Sequence, residues 1–140
     1  MRVVVIDDSE PIRDVLRLAL DRQDDFTVVA EAVDGESGVR AVSEHTPHLV
    51  LLDIAMPKMD GLQALKLIRE ESPGSIVIML TGYAETAGAV SAVEHGAHGY
   101  IRKGGAIPEL LSQIREVLAH RLHAAERAGQ RSADSASPEE

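Results

Sequence analysis

Asp7, Asp8, Asp53, Thr81 and Lys103 each lie where a short apolar run gives way to a reactive side chain. Val3-Val4-Val5-Ile6 leads into Asp7-Asp8, and His48-Leu49-Val50-Leu51-Leu52 into Asp53. Ile76-Val77-Ile78-Met79-Leu80 leads into Thr81, and Gly99-Tyr100-Ile101-Arg102 into Lys103. Three carboxylates, a hydroxyl and an ammonium gathered on one edge suit a divalent cation and a phosphoryl group. The carboxylates are the hard oxygen ligands such a cation takes. The hydroxyl and the ammonium can meet phosphoryl oxygens as charge develops on them.

The positioning elements follow from the same runs. Short, β-rich apolar stretches separated by helix-length amphipathic segments read as buried parallel strands joined by crossover helices. Phe26-Thr27-Val28-Val29-Ala30 supplies the remaining run, second in chain order. In such a sheet ligands bind outside the carboxyl ends of the strands, where strand order reverses. The expected fold class is therefore α/β: a doubly wound five-stranded parallel sheet, flavodoxin-like order 2-1-3-4-5, with helices on both faces.

Five helical patterns alternate with the strands. Ser9 can cap the first, with Pro11 in its first turn and Ile12, Val15, Leu16 and Ala19 on one face. The second follows Asp34-Gly35, carries Gly38, Val39 and Val42, and stops before Pro47. Gly61 opens the third, striped by Leu62, Leu65 and Ile68, and Asp60-Gly61 reads as a turn in which Gly takes a positive φ. The fourth runs from about Ala84 to His95, with Gly96 as its C-terminal cap. Its Ala- and Gly-rich sequence makes it the weakest. The fifth opens at Pro108 and is striped by Leu111, Ile114, Val117, Leu118 and Leu122.

A chain of 140 residues is one domain. Apolar residues make up 44% of it, yet Phe26, Tyr83 and Tyr100 are its whole aromatic content, so the core must be aliphatic. With no cysteine, disulfides and thiolate metal sites are excluded. A net charge of -9 argues against nucleic-acid binding by this segment. No apolar stretch approaches the ~20 residues of a membrane span, and the expected location is cytoplasmic. From about Gly129 the composition turns to Gly, Ser, Ala, Pro and acid, which buries little surface. The expected organisation is a domain over residues 1–124 and a flexible C-terminal tail or linker over 125–140.

Each residue has a plainer reading. Adjacent Asp residues after a strand are often a turn and a helix cap, and a single loop lysine is usually solvated. It is the joint placement at strand ends that favours chemistry. His120 and His123 stand three apart, but no acid or cysteine completes a metal site around them. Neither a GxxxxGK[ST] loop nor a GxGxxG fingerprint occurs, which disfavours nucleotide binding.

From Met1 to about His123 the chain resembles the receiver domain of bacterial two-component response regulators. The resemblance rests on Val-Ile-Asp7-Asp8, Leu-Leu-Asp53-Ile-Ala-Met56-Pro57-Lys-Met-Asp60-Gly61, Leu80-Thr81-Gly82 and Gly99-Tyr100-Ile-Arg-Lys103, in that order. It implies a domain that takes a phosphoryl group from a sensor histidine kinase onto Asp53, with Thr81 and Lys103 binding the phosphoryl oxygens. Mg²⁺ would be held by Asp8 and Asp53 directly, by Asp7 through water and by the backbone carbonyl of Ala55. Thr81 and Tyr100 would be the switch, acting on the face made by the fourth helix, fifth strand and fifth helix. That face is the family's usual surface for output or for a homodimer formed on phosphorylation. A stand-alone receiver and the N-terminal part of a transcriptional regulator both remain open.

One departure from the family pattern stands out, and one rival reading is set aside. Receivers often carry Pro after the active-site lysine, whereas Gly104-Gly105 follows Lys103 here. A metal-dependent phosphatase with an aspartyl nucleophile needs a second carboxylate two residues on. Ala55 stands there and cannot transfer protons. A pure binding module is disfavoured by the complete set of acids, Thr81 and Lys103. Regulation through phosphorylation of the chain itself, rather than turnover of a substrate, is the expected role.

Overall fold

The computed structural model describes the backbone of residues 1–56, 59–82 and 86–136. Pro57, Lys58, Tyr83, Ala84, Glu85 and the last four residues of the expected tail lie outside the described residues. Strands β1 (Arg2–Ile6), β2 (Thr27–Ala32), β3 (Leu49–Asp53), β4 (Ile76–Thr81) and β5 (Gly99–Arg102) alternate with helices α1 (Glu10–Asp21), α2 (Gly35–His45), α3 (Gly61–Glu71), α4 (Thr86–Glu94) and α5 (Ile107–Ala136). The strands form one sheet in the order β2-β1-β3-β4-β5, and every pairing is parallel. This is the expected doubly wound arrangement.

Strand alternation divides the core in two. Val3, Val5, Leu49, Leu51, Ile78 and Leu80 pack with Leu16 and Leu20 of α1 and Leu110, Ile114 and Leu118 of α5. Val4, Ile6, Val50, Leu52, Val77 and Met79 face Val42 of α2, Ala64, Leu65 and Ile68 of α3, and Ala92 of α4. Because both faces are covered, the central strands are apolar throughout instead of alternating with polar residues. Burying these aliphatic side chains at roughly 1.5–3 kcal/mol each is what holds the layers together.

The helix starts are fixed by short polar side chains. Ser9, Asp34 and Asp60 accept the N–H of Ile12, Ser37 and Gln63, and Asp60 with Gln63 forms a reciprocal capping box. Gly61 is needed for a reason other than the one expected. Its φ is not positive. A Cβ there would instead lie 2.7 Å from both the Asp53 carbonyl oxygen and the Ile54 Cα. Gly96, after α4, does take a positive φ of 113°, as a helix C-terminus favours.

At the amino edge of the sheet, two histidines act as strand pins. His48 donates its N–H to the Arg2 carbonyl at 3.0 Å and accepts the Arg2 N–H on Nδ1 at 2.9 Å. His98 does the same to Val77, with distances of 2.8 Å and 3.0 Å. Burial, reinforced by the charges of Arg69 and Arg121, pushes the His98 imidazole down to about 4. An unprotonated Nδ1 is what accepting a backbone N–H requires.

The fifth helix continues through residues 125–136, beyond the end of the apolar stripe at Leu122. Ala, Glu, Arg and Gln dominate that stretch and are strong helix formers, so local propensity favours a helix where composition gives no core. Among the described residues no helix is long and apolar enough to cross a membrane.

Candidate functional site

The carboxyl edge of the sheet gathers the expected residues from β1, β3, β4 and β5. Asp7 follows β1, Asp53 ends β3, Thr81 ends β4, and Lys103 follows β5. Register brings them level: Asp53 pairs with Leu80 and Thr81 with Arg102. Two further backbone bonds carry the alignment past the strand ends. Ile54 N–H donates to the Leu80 carbonyl at 3.1 Å, and Lys103 N–H to the Thr81 carbonyl at 2.9 Å.

Asp7 and Asp53 are fully buried, whereas Asp8 is exposed. The three can each offer an oxygen within 4.8 Å of the others. Lys103 spans the pair, with Nζ 3.1 Å from Asp7 Oδ2 and 2.9 Å from Asp53 Oδ1. Asp53 Oδ1 also accepts the Ala55 N–H at 3.2 Å. Asp7 Oδ1 accepts the Ser9 N–H at 2.8 Å. Asp53 Oδ2 is different: it is buried and has no hydrogen-bond partner among the described residues. A buried carboxylate oxygen without a donor is costly. At the carboxyl end of β3 this oxygen is free to accept from or coordinate a ligand.

The electrostatics fit that reading. Burial pushes the Asp53 carboxyl up to about 6; the Asp7 charge adds to this, and hydrogen bonding and charge from Lys103 oppose it. Burial alone would lower Lys103. Its hydrogen bond to Asp53 and the charges of Asp7 and Asp53 outweigh burial and hold it above its ordinary range. Three carboxylates against one ammonium leave the site short of positive charge. A small hard cation with oxygen ligands would supply what is missing, and exposed Asp8 would leave room for the waters that Mg²⁺ retains.

Two expected residues do not join the acid–lysine cluster. The Thr81 side chain is buried and its hydroxyl donates to the Gly82 carbonyl at 2.9 Å. Tyr100, on β5, is 40% exposed. Gly104, in place of the proline common in the family, has a positive φ of 87°, so the loop leaving Lys103 uses a conformation that glycine adopts readily. Sequence reasoning missed Arg13, whose guanidinium donates to the Asp7 carbonyl at 2.6 Å. An arginine early in an amphipathic helix reads as a solvated charge, and only the folded turn brings it back onto the acid pair.

Comparison with known proteins agrees with the geometry. The response regulator receiver domain family matches residues 3–115. A transcriptional regulatory protein of Bacillus subtilis, YhcZ, is 38% identical over 117 residues, which are 84% of this chain and 54% of that protein. The chemotaxis protein CheY of Halobacterium salinarum is 37% identical over 117 residues, 84% of this chain and 96% of that one. The crystal structure of the response regulator domain of Thermotoga maritima CheB superposes with a TM-score of 0.75 at 35% identity, covering 85% of this chain and 96% of that one. This chain thus spans about half of YhcZ but nearly all of that CheY. With a family match across most of its length and the acidic edge where that family's fold puts it, the chain belongs to the receiver domains of two-component response regulators.

Proposed function

We propose that Asp53 is the phosphoacceptor and that a sensor histidine kinase is the donor. In the transfer, the bond from phosphorus to the donor nitrogen breaks as a bond forms from phosphorus to an Asp53 oxygen. The carrying observation is the Asp53 carboxylate itself, buried at the head of β3 with Oδ1 held by Lys103 and Ala55 and Oδ2 unpartnered. There is little covalent activation for a carboxylate to receive, so the work lies in positioning and charge neutralisation. Asp8, Asp53 and the Ala55 carbonyl, with Asp7 through water, would hold Mg²⁺, which would supply positive charge at the phosphoryl oxygens. Lys103 adds a second positive charge from the β5 side, and Thr81 can donate its hydroxyl once released from Gly82.

Phosphorylation replaces a charge of -1 by one of roughly -2 and adds acceptor oxygens. Thr81 turning toward them opens space beside Tyr100, and the α4–β5–α5 face repacks, presented to an output partner or a second copy. This is a population shift between two packings. The chemistry is confined to phosphorylation and dephosphorylation of the chain's own aspartate.

Incubation with a small phosphoramidate donor and Mg²⁺ should add the mass of one phosphoryl group. The adduct should be hydroxylamine-labile, require Mg²⁺ and be absent from Asp53→Asn. Undiminished labelling of that variant would place the acceptor elsewhere.

A further inference from the structure

Arg13 lies on α1, one turn past the acid pair, and its side chain is only 12% exposed. A guanidinium this buried has to be matched by acceptors. Nη1 donates to the backbone carbonyl of Asp7 at 2.6 Å, and Nε lies 3.4 Å from Glu31 Oε1 on the edge strand β2. The second Glu31 oxygen takes Arg17 Nη1 at 2.9 Å. Glu31 therefore sits between two arginines, and Arg13 between Glu31 and the Asp7 backbone.

This completes the fixing of Asp7. Its N–H donates to the Ala32 carbonyl at 3.0 Å, Oδ1 accepts from Ser9 and Oδ2 from Lys103. Only Arg13 holds the carbonyl among the contacts the described residues make there. That carbonyl belongs to the peptide joining Asp7 to Asp8. Asp8 is exposed, so packing does not aim its carboxylate; the orientation of the preceding peptide does. The shorter of the two Arg13 contacts is the one to this carbonyl, not the one to Glu31. An ordinary surface ion pair would spend its guanidinium on the carboxylate alone.

We infer that Arg13, oriented by Glu31, is a positioning residue for the acid pair. It sets the Asp7–Asp8 peptide so that both carboxylates converge with Asp53 on one cation. The inference rests on the reading of Asp7, Asp8 and Asp53 as an Mg²⁺ site. Groups that orient metal ligands typically contribute 10–100-fold to affinity.

Calorimetric titration with Mg²⁺ alone, paired with thermal melts in EDTA, tests this on wild type, Arg13→Met, Arg13→Lys, Glu31→Gln and Arg115→Met. Arg13→Met should bind Mg²⁺ about ten-fold more weakly. Arg13→Lys, which keeps a donor for the carbonyl but loses the fork, should fall between, and Glu31→Gln should weaken binding in the same sense. Arg115→Met removes another arginine clip, the two-bond pair with Asp25, which is more exposed than Arg13 and lies away from the acids. It should lower the melting temperature and leave Mg²⁺ affinity alone. Wild-type affinity in Arg13→Met, with a lowered melting temperature, would make Arg13 a structural clip and overturn the inference. If Arg13→Met does not fold, wild-type affinity in both Arg13→Lys and Glu31→Gln overturns it equally. Failure of the wild-type protein itself to take up Mg²⁺ would instead remove the metal site, and this inference with it.

Discussion

Lys103 Nζ lies 2.9 Å from Asp53 Oδ1, while the other oxygen of the same carboxylate is buried without a donor among the described residues. The pair is thus half-satisfied: one oxygen is neutralised by Lys103 and the other is left without a donor among the described residues. Such an arrangement is unfavourable in the resting, metal-free protein, and removing it should help folding while ending function.

Asp53→Asn should accordingly be more stable than wild type in EDTA near pH 7.5, by about 1–2 kcal/mol in denaturant melts. The sign follows from the carboxyl being raised from 3.8 to about 6 in the folded chain. The contribution of the protonated group is present below the unfolded value and is lost as pH rises through about 6. The advantage of the variant should therefore grow between pH 4 and 7 and then level off. A wild-type protein that gains on the variant over that interval would contradict the assignment.

Thr81 must exchange its bond to the Gly82 carbonyl for a phosphoryl oxygen if it relays the signal. Amide exchange with and without beryllofluoride and Mg²⁺ should change chiefly across residues 81–108. Thr81→Ala should blunt that change while Asp53 still accepts phosphate. Protection confined to the neighbourhood of Asp53, or fully retained in Thr81→Ala, would remove the relay.

His98 pins β5 to β4 as an acceptor, and its folded value of about 4 lies below its ordinary 6.5. Stability from this pin is present above 6.5 and is lost as pH falls through about 4. His98→Asn offers an uncharged acceptor in a similar place, so its melting temperature should fall less steeply between pH 6.5 and 4.5. Parallel curves for the two proteins would show that the imidazole does not carry the acid sensitivity.

The last buried core residue of α5 is Leu118 among the described residues, although the helix runs on to Ala136. We expect residues 125–140 to add nothing to the core. A chain ended after Gly129 should melt within a degree or two of the full one, since even substitutions at surface positions away from packed or capped sites usually change stability by only about 0.5 kcal/mol. A loss of several kcal/mol would show that the far end of α5 docks.

Strand ends and the first helix cap were legible because their signals are local. Val3–Ile6 before Asp7 and Leu49–Leu52 before Asp53 read directly as buried strands, and Ser9 as a cap, whereas Asp34 read only as the residue before a helix and Asp60 as part of a turn, and the structure makes both of them caps. The carboxyl-edge cluster followed, since parallel order places such ends together. What escaped was contact across sequence distance. The two strand pins need the register of β1 with β3 and of β4 with β5 before His48 and His98 acquire partners. Arg13 needs the β1–α1 turn to fold back on Asp7. Gly61 was read as a turn glycine, because a pattern of residues does not reveal that the Asp53 backbone passes 2.7 Å from its missing Cβ.

That close passage and the positive φ at Gly104 set two unlike limits on how this site can vary. At 104 the constraint is handedness: a Cβ there meets no atom within 4 Å, and the backbone at +87° merely disfavours L side chains. A D-alanine placed by chemical ligation would suit that conformation, and asparagine is the natural residue nearest to doing so. At 61 the constraint is occupied space, and backbone atoms cannot step aside as a flexible side chain would. Mutational drift can thus retune the loop after Lys103, while the turn beneath Asp53 has a single residue open to it.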